Sequence, residues 1–198
     1  MNQLVIPSCT AIWQGVHHIP GWFAEDELRA LTFVAAVALK NCAGALLEIG
    51  SYKGRASIAL AKTVEATAPG RMIYALDPGT GDWVGEHDDH WDALNGYLAA
   101  AGVSDKITCI RCSPTLENLQ WSESLAFVLF DGAHGLREVR RDFDLICTHV
   151  EAGGIAAIHD DSADFPGVAM HCQQIERRYR WDRLFKVGTL SFFQKRKV

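Results

Sequence analysis

The chain reads as an α/β domain built on a mostly parallel, doubly wound sheet of seven strands that closes in an antiparallel C-terminal hairpin. Three observations predict this. Short apolar runs rich in Leu, Ile, Val and Phe alternate with longer stretches whose apolar residues recur at helical spacing, the pattern of strands and helices taking turns. Three of the short runs end at or beside an aspartate, at Asp77, Asp131 and Asp160. The last two runs, Arg183 to Val187 and Leu190 to Lys195, are separated only by Gly188-Thr189, which suits a tight hairpin.

The elements follow one another along the chain. Residues 24–40, AEDELRALTFVAAVALK, carry acidic groups at the start and Lys40 at the end, as the dipole of an amphipathic helix favours. Ala45 to Ile49 is an apolar strand that breaks into Gly50-Ser-Tyr-Lys-Gly54 and resumes as the helical ASIALAKTVEA, the first strand-turn-helix unit. Met72 to Leu76 is a second strand ending at Asp77-Pro78; a helix from Asp92 to Ala101 and a third strand from Lys106 to Arg111 follow. Leu125 to Phe130 is the fourth strand, then come a helix from Leu136 to Val150 and a fifth strand, Ile155 to Ile158, introduced by Gly153-Gly154. A last helix, Val168 to Tyr179, leads into the hairpin.

Composition narrows the function. With 198 residues, 48% hydrophobic and 22% charged, the chain suits one domain spanning 1–198, with 1–40 a helical lid segment and 45–195 the core. No apolar run reaches the roughly eighteen residues of a membrane span, and Met1 to Trp13 lacks the features of a signal peptide, so a cytoplasmic protein without membrane contact is expected. The net charge of -5 is spread along the chain and no basic stripe occurs, which argues against nucleic acid as a partner. Six scattered cysteines fall mostly in apolar segments; Cys109 and Cys112 sit in a strand-like stretch without a second pair to complete a zinc site.

In open sheets of this kind the ligand site forms beyond the carboxyl ends of the strands, which here hold residues 48–54, Asp77, Ser113, Asp131 and Asp160. Gly50 and Gly54 stand where the backbone must turn sharply and approach a ligand, and Asp77 can accept from a ribose diol. Glu48 replaces the first glycine of a dinucleotide fingerprint; a carboxylate there repels a diphosphate and pairs with an ammonium group, so a cationic aminoacyl nucleoside fits better than NAD.

The segments IGSYKGRASIALA, IYALDPGTGDW, FVLFDGAHGLREVRRDFDL and EAGGIAAIHDD resemble successive motifs of class I S-adenosylmethionine-dependent methyltransferases over about residues 20–195. More narrowly they are similar to a small bacterial branch associated with sugar and natural-product modification, from which this chain departs at Ala56 and Leu136. The resemblance implies a Rossmann-like fold and S-adenosylmethionine as cofactor. Glu48, Gly50, Ser51, Tyr52, Gly54 and Asp131 would line its methionine side, Asp77 the ribose, and Ser113 the adenine edge.

Asp131, Asp160 and Asp161 bring three carboxylates to neighbouring strand ends, costly unless a cation or protons neutralise them. Oxygen-only ligands favour Mg²⁺ or another divalent cation, and the arrangement resembles the metal site of catechol-type and macrolide-sugar O-methyltransferases; turn and cap roles for the same aspartates are the alternative. His134, three residues after Asp131, is the candidate general base, with Asp131 beside it as the second catalytic group. The sugar-modifying enzymes carry histidine at that offset where the catechol type carries lysine, which points to an alkyl or sugar hydroxyl. His159 belongs to the fifth strand and should point away from Asp160. His87 and His90 lie in a loop that serves as gate, metal donor or solvated connection.

The acceptor is expected to be a small molecule recognised by loops such as Thr80 to His90 and by the N-terminal segment. A homodimer is an expectation that the sequence leaves open. Two rival readings stand beside the methyltransferase: an NAD(P)-dependent oxidoreductase, and a module that binds the cofactor without turnover.

Overall fold

The computed structural model of the protein describes residues 8–81, 86–112, 116 and 119–197, with the backbone alone at 81 and 86–88. Two helices open the chain, α1 (Cys9–Val16) and α2 (Glu25–Asn41). Strand β1 (Ala45–Ile49), helix α3 (Arg55–Thr67) and strand β2 (Ile73–Asp77) form the first parallel unit. A two-stranded ribbon, β3 (Thr80–Gly81) with β4 (Glu86–Asp89), precedes α4 (Trp91–Ala100) and β5 (Ile107–Arg111). After β6 (Leu125–Phe130) come α5 (Leu136–Ile146), β7 (Val150–Ile158), α6 (Pro166–Arg178), β8 (Trp181–Val187) and β9 (Leu190–Lys195).

The main sheet has seven strands in the order β5-β2-β1-β6-β7-β9-β8, parallel except for the terminal hairpin. The predicted fold class is the observed one. Strand order reverses between β1 and β6, so the crevice beyond their carboxyl ends is the topological switch point.

Alternation along the strands divides the core into two layers. Leu46, Phe127, Leu129, Ile155 and Phe192 face α2 and α3, while Leu47, Ile49, Val128, Phe130, Ile158 and Phe193 face α5 and α6. All are buried, as a sheet covered on both faces requires.

The boundary between α5 and β7 differs from the expectation. The helix ends at Ile146 and the strand begins at Val150, five residues before the predicted Ile155 start, and Lys195 Nζ reaches across from β9 to the carbonyls of Cys147, Thr148 and Val150 at 2.9, 3.4 and 2.7 Å. Orphan carbonyls at a helix end need such donors. The strand then bulges, its pairing with β6 jumping from Val150 to Ile155, with Gly153 at φ +88°.

His171 on α6 is fully buried, with both ring nitrogens unpartnered and Phe143 and Tyr179 edge-on at 5.0 and 6.2 Å. Burial, helped by the nearby Arg140, lowers its pKa from the ordinary 6.5 to about 4. The neutral ring therefore contributes stability above the ordinary value, and that contribution is lost as pH falls from 6.5 through 4. His171→Leu is expected to shrink the loss of stability between pH 7 and pH 5 by on the order of 2 kcal/mol. Urea unfolding of both proteins at the two pH values reads this directly; equal losses would show that His171 titrates as if solvated.

Candidate active site

Beyond the ends of β1, β2, β6 and β7 lies a cavity of about 540 Å³. Its floor is the turn after β1. Gly50 and Gly54 both adopt φ +91°; a side chain on Gly50 would collide with the Asp131 carbonyl, and a Cβ on Gly54 would lie 2.8 Å from Leu94 Cδ1. Only glycine combines that φ with that approach.

One wall carries Glu48, Ser51 and Asp77. Glu48 is buried; Ser57 Oγ donates to its Oε2 at 2.5 Å, while Oε1 and the nearby Ser51 Oγ have no partner among the described residues. Burial, against the Ser57 hydrogen bond and with the charge of Asp131 adding, pushes the Glu48 carboxyl up to about 8. A buried acceptor left empty is a demand for a donor, and an ammonium group meets it. Asp77 Oδ2 accepts from Tyr52 N at 2.7 Å, and Oδ1 accepts from Gly79 N at 2.7 Å and His90 Nε2 at 2.8 Å. Ser113 lies outside the described residues, and His87 lies where only backbone is described.

The opposite wall is acidic. Asp131 and Asp160 each face an imidazole: His159 Nδ1 lies 2.8 Å from Asp131 Oδ1 and 3.6 Å from Asp160 Oδ1, and His134 Nε2 lies 2.9 Å from Asp160 Oδ2. Glu27, from α2, brings Oε2 to 3.5 Å from His159 Nε2, an ion-pair distance without a hydrogen bond between them. Burial alone would lower the His159 pKa, but the Asp131 charge and hydrogen bonds to the carboxylates outweigh it and raise it to about 12. The same contacts overcome burial at Asp160, whose carboxyl is held below its usual range by His134 and His159. Asp131 is raised, by burial first and by the Asp160 charge, with His159 opposing.

Two expectations are corrected here. His159 does not point away from Asp160, because β7 ends at Ile158 and strand alternation ends with it; Asp160 then takes φ +62°, which swings both side chains to one edge. Asp161 does not join Asp131 and Asp160. It turns to the hairpin, where Ser191 Oγ donates to its Oδ2 at 2.6 Å, Arg183 Nη1 stands at 3.4 Å and Lys186 Nζ at 3.7 Å. The groups that converge, with one donor atom each within 4.8 Å of the others, are Asp131, His159 and Asp160. The signal for His159 was its place immediately after the last strand residue.

The mouth of the cavity is aromatic. Arg55, the first residue of α3, donates to the carbonyls of Ile19, Phe23 and His17 at 2.7, 3.0 and 3.2 Å, pinning the segment that carries Trp22 and Phe23 over the site. Phe23 stacks on His159 at 4.2 Å, Phe165 stacks on His134 at 4.5 Å, and Trp22 meets Tyr52 at 4.8 Å.

Comparison with known proteins fits this geometry. A family model described as a methyltransferase domain matches residues 47–160. The O-methyltransferase NovP superposes with a TM-score of 0.69 at 14% identity, covering 86% of this chain and 79% of NovP. An O-methyltransferase from Bacillus cereus solved with S-adenosylhomocysteine gives 0.65 at 14% identity, with 100% and 92% covered. The O-methyltransferase TomG from Streptomyces achromogenes, involved in tomaymycin synthesis and solved with S-adenosylmethionine, gives 0.63 at 14% identity, with 100% and 92% covered. At these identities the structures establish a shared fold. No curated protein matches the chain.

The orphaned Glu48 makes a prediction about the empty site. A carboxyl raised to about 8 from its ordinary 4.5 contributes stability below the ordinary value that is lost as pH rises through 8. Glu48→Gln should therefore stabilise the ligand-free protein at neutral pH, by up to about 3 kcal/mol, and flatten its decline toward alkaline pH. Unfolding midpoints across pH 5 to 9 measure both; a less stable variant would mean that Glu48 is ionised and satisfied in the empty cavity.

Proposed function

Since the chain belongs to the methyltransferase-domain family, we propose that it transfers the methyl group of S-adenosylmethionine to a hydroxyl oxygen of a small molecule, a sugar or natural product. The observation that carries the reading is one cavity with two chemically distinct walls: an unpaired Glu48 Oε1 beside Asp77 on one, and a His134–Asp160 pair on the other. In this single domain the segment pinned by Arg55 ahead of α2 acts as the lid, while α2 itself packs in the core.

Glu48 binds the ammonium group and Asp77 the ribose, which fixes the sulfonium methyl with respect to the acidic wall. The acceptor oxygen attacks that methyl carbon in line, the carbon–sulfur bond breaks with its electron pair going to sulfur, and the products are a methyl ether and a neutral thioether. The hydroxyl proton goes to His134. With Nε2–H donating to Asp160, the basic lone pair of that tautomer is on Nδ1, and Phe165 stacked on the ring holds its plane. His159, kept protonated by its carboxylates, is unsuited to accept a proton and serves as a fixed positive charge beside Asp131. Most of the rate then comes from alignment and exclusion of water under the aromatic lid.

The carboxylates of Asp131 and Asp160 fit a divalent cation, since Mg²⁺ is commonly held by one or two carboxylates with water and substrate oxygens. These two residues would hold it, and when bound it would lower the pKa of the acceptor hydroxyl. The aromatic mouth suits an acceptor with an apolar or stacking face. The match of residues 47–160 to a methyltransferase domain disfavours the oxidoreductase alternative.

Isothermal titration with S-adenosylhomocysteine should give binding in the micromolar range, weakened at least tenfold by Glu48→Gln. No binding to the unaltered protein would sink the methyltransferase reading. In an acceptor screen that begins with sugars, His134→Ala should lower kcat by about 10²- to 10⁴-fold with cofactor affinity unchanged. Chelation should lower turnover and added Mg²⁺ restore it; turnover indifferent to chelation would assign acceptor activation to His134 alone.

A further inference from the structure

Residues 17–23, between α1 and α2, run across the cavity and touch both of its walls. Pro20, Gly21, Trp22 and Phe23 line it. On the acidic side Phe23 stacks on His159, and on the other side Trp22 meets Tyr52 in the turn after β1. The crossing forms neither helix nor strand, so carbonyls along it must find donors elsewhere.

Arg55 supplies those donors. It is the first residue of α3 and follows directly on Gly54, so its backbone belongs to the cofactor turn while its side chain leaves for the crossing segment. Each guanidinium nitrogen serves a different carbonyl: Nε that of Ile19 at 2.7 Å, Nη1 that of Phe23 at 3.0 Å and Nη2 that of His17 at 3.2 Å. The stem runs past Gly21, where an added Cβ would lie 3.5 Å from Arg55 Cβ and 3.6 Å from Cδ, and the guanidinium stands over the Trp13 ring at 5.9 Å. The planar fork of arginine holds several acceptors at once, which the single nitrogen of lysine cannot reproduce. Helix α2 has its own anchorage, with Leu28, Leu31 and Ala35 fully buried, so these bonds restrain the crossing rather than the helix that follows it.

We infer that Arg55 is a positioning residue that latches residues 17–23 over the cofactor, and that S-adenosylmethionine enters and S-adenosylhomocysteine leaves when its three hydrogen bonds let go. The inference rests on the cofactor reading above and adds to it the path of exchange. Because the latch springs from the turn that holds the donor, a shift of that turn also shifts the segment that carries Phe23 onto His159. One side chain thereby joins the cofactor side of the cavity to the acidic side. Opening of such a segment, rather than chemistry, sets the pace of many enzymes.

Stopped-flow binding of S-adenosylhomocysteine, followed by tryptophan fluorescence, tests this on the full chain and on Arg55→Met. Methionine keeps an unbranched stem beside Gly21 and removes the donors. The ligand carries no net charge near neutral pH, so loss of a cation does not by itself change its encounter rate. The association and dissociation rate constants should both rise about tenfold, so that Kd changes far less than either. Arg55→Lys, which keeps the charge and loses the fork, should speed both rates as well. An association rate constant that stays the same or falls in Arg55→Met overturns the proposal, because a residue that contacts the cofactor directly, or only packs, leaves entry no faster. Failure of the unaltered protein to bind S-adenosylhomocysteine would instead overturn the cofactor reading beneath it. Should the variants not fold, hydrogen exchange on the unaltered protein decides: the amides of residues 17–23 should exchange more slowly once S-adenosylhomocysteine is bound, and unchanged exchange there overturns the latch.

Discussion

Glu27, Asp131 and Asp160 converge from α2, the end of β6 and the end of β7, and the His159 imidazolium between them lets three carboxylates share one edge of the sheet. Like charges about 5 Å apart repel by roughly 3 kcal/mol even at an effective dielectric near 20, and several such pairs would consume much of the 5–15 kcal/mol that keeps a domain folded. A resident cation changes the sign of that sum. Glu27 also accepts from Ala24 N, Thr189 N and Thr189 Oγ1 at 2.9, 2.6 and 2.9 Å, so the same carboxylate that balances His159 joins α2 to the terminal hairpin. These contacts and His159 outweigh its burial and hold its pKa down at about 2.

That anchoring permits disorder of a chemical kind next door. The wall of Glu48 and Asp77 leaves Glu48 Oε1, Ser51 Oγ and His90 Nδ1 without a hydrogen-bond partner among the described residues, and the backbone takes positive φ at three residues of the cavity lining that are not glycine, Tyr52, Leu116 and Asp160. Each such feature costs of order 1–3 kcal/mol in the empty protein. They persist because the two core layers and the Glu27–His159 network over-determine the positions around them, and they are the groups a ligand can satisfy.

Much of this was legible in the sequence. The seven strands, their order of appearance and the strand-end positions of Glu48, Asp77, Asp131 and Asp160 follow from local periodicity, because a buried strand needs a continuous apolar run and a parallel sheet puts its carboxyl ends together. What was not legible depends on contacts far apart in sequence. The start of β7 is met by Lys195, 45 residues beyond Val150. Asp161 looked equivalent to Asp160 because nothing between residues 155 and 165 reveals that Ser191, Arg183 and Lys186 will surround it. His159 was misdirected by extending a period of two one residue past the last strand residue, where a left-handed turn takes over.

The division of the cavity into two walls has a consequence for how the site orders its charges. The Glu48 wall carries the carboxyls of Glu48 and Asp77 with no cationic side chain paired to them in the hydrogen bonds described, whereas the Asp131–Asp160 wall contains His159. His159 offsets only part of the charge of Glu27, Asp131 and Asp160, so both walls of the cavity favour positive charge. On the proposed reading the acceptor hydroxyl lies between them, under Trp22 and Phe165 and beside the His134–Asp160 pair. The segment pinned by Arg55 thus covers an arrangement of charges that the strand ends have already imposed.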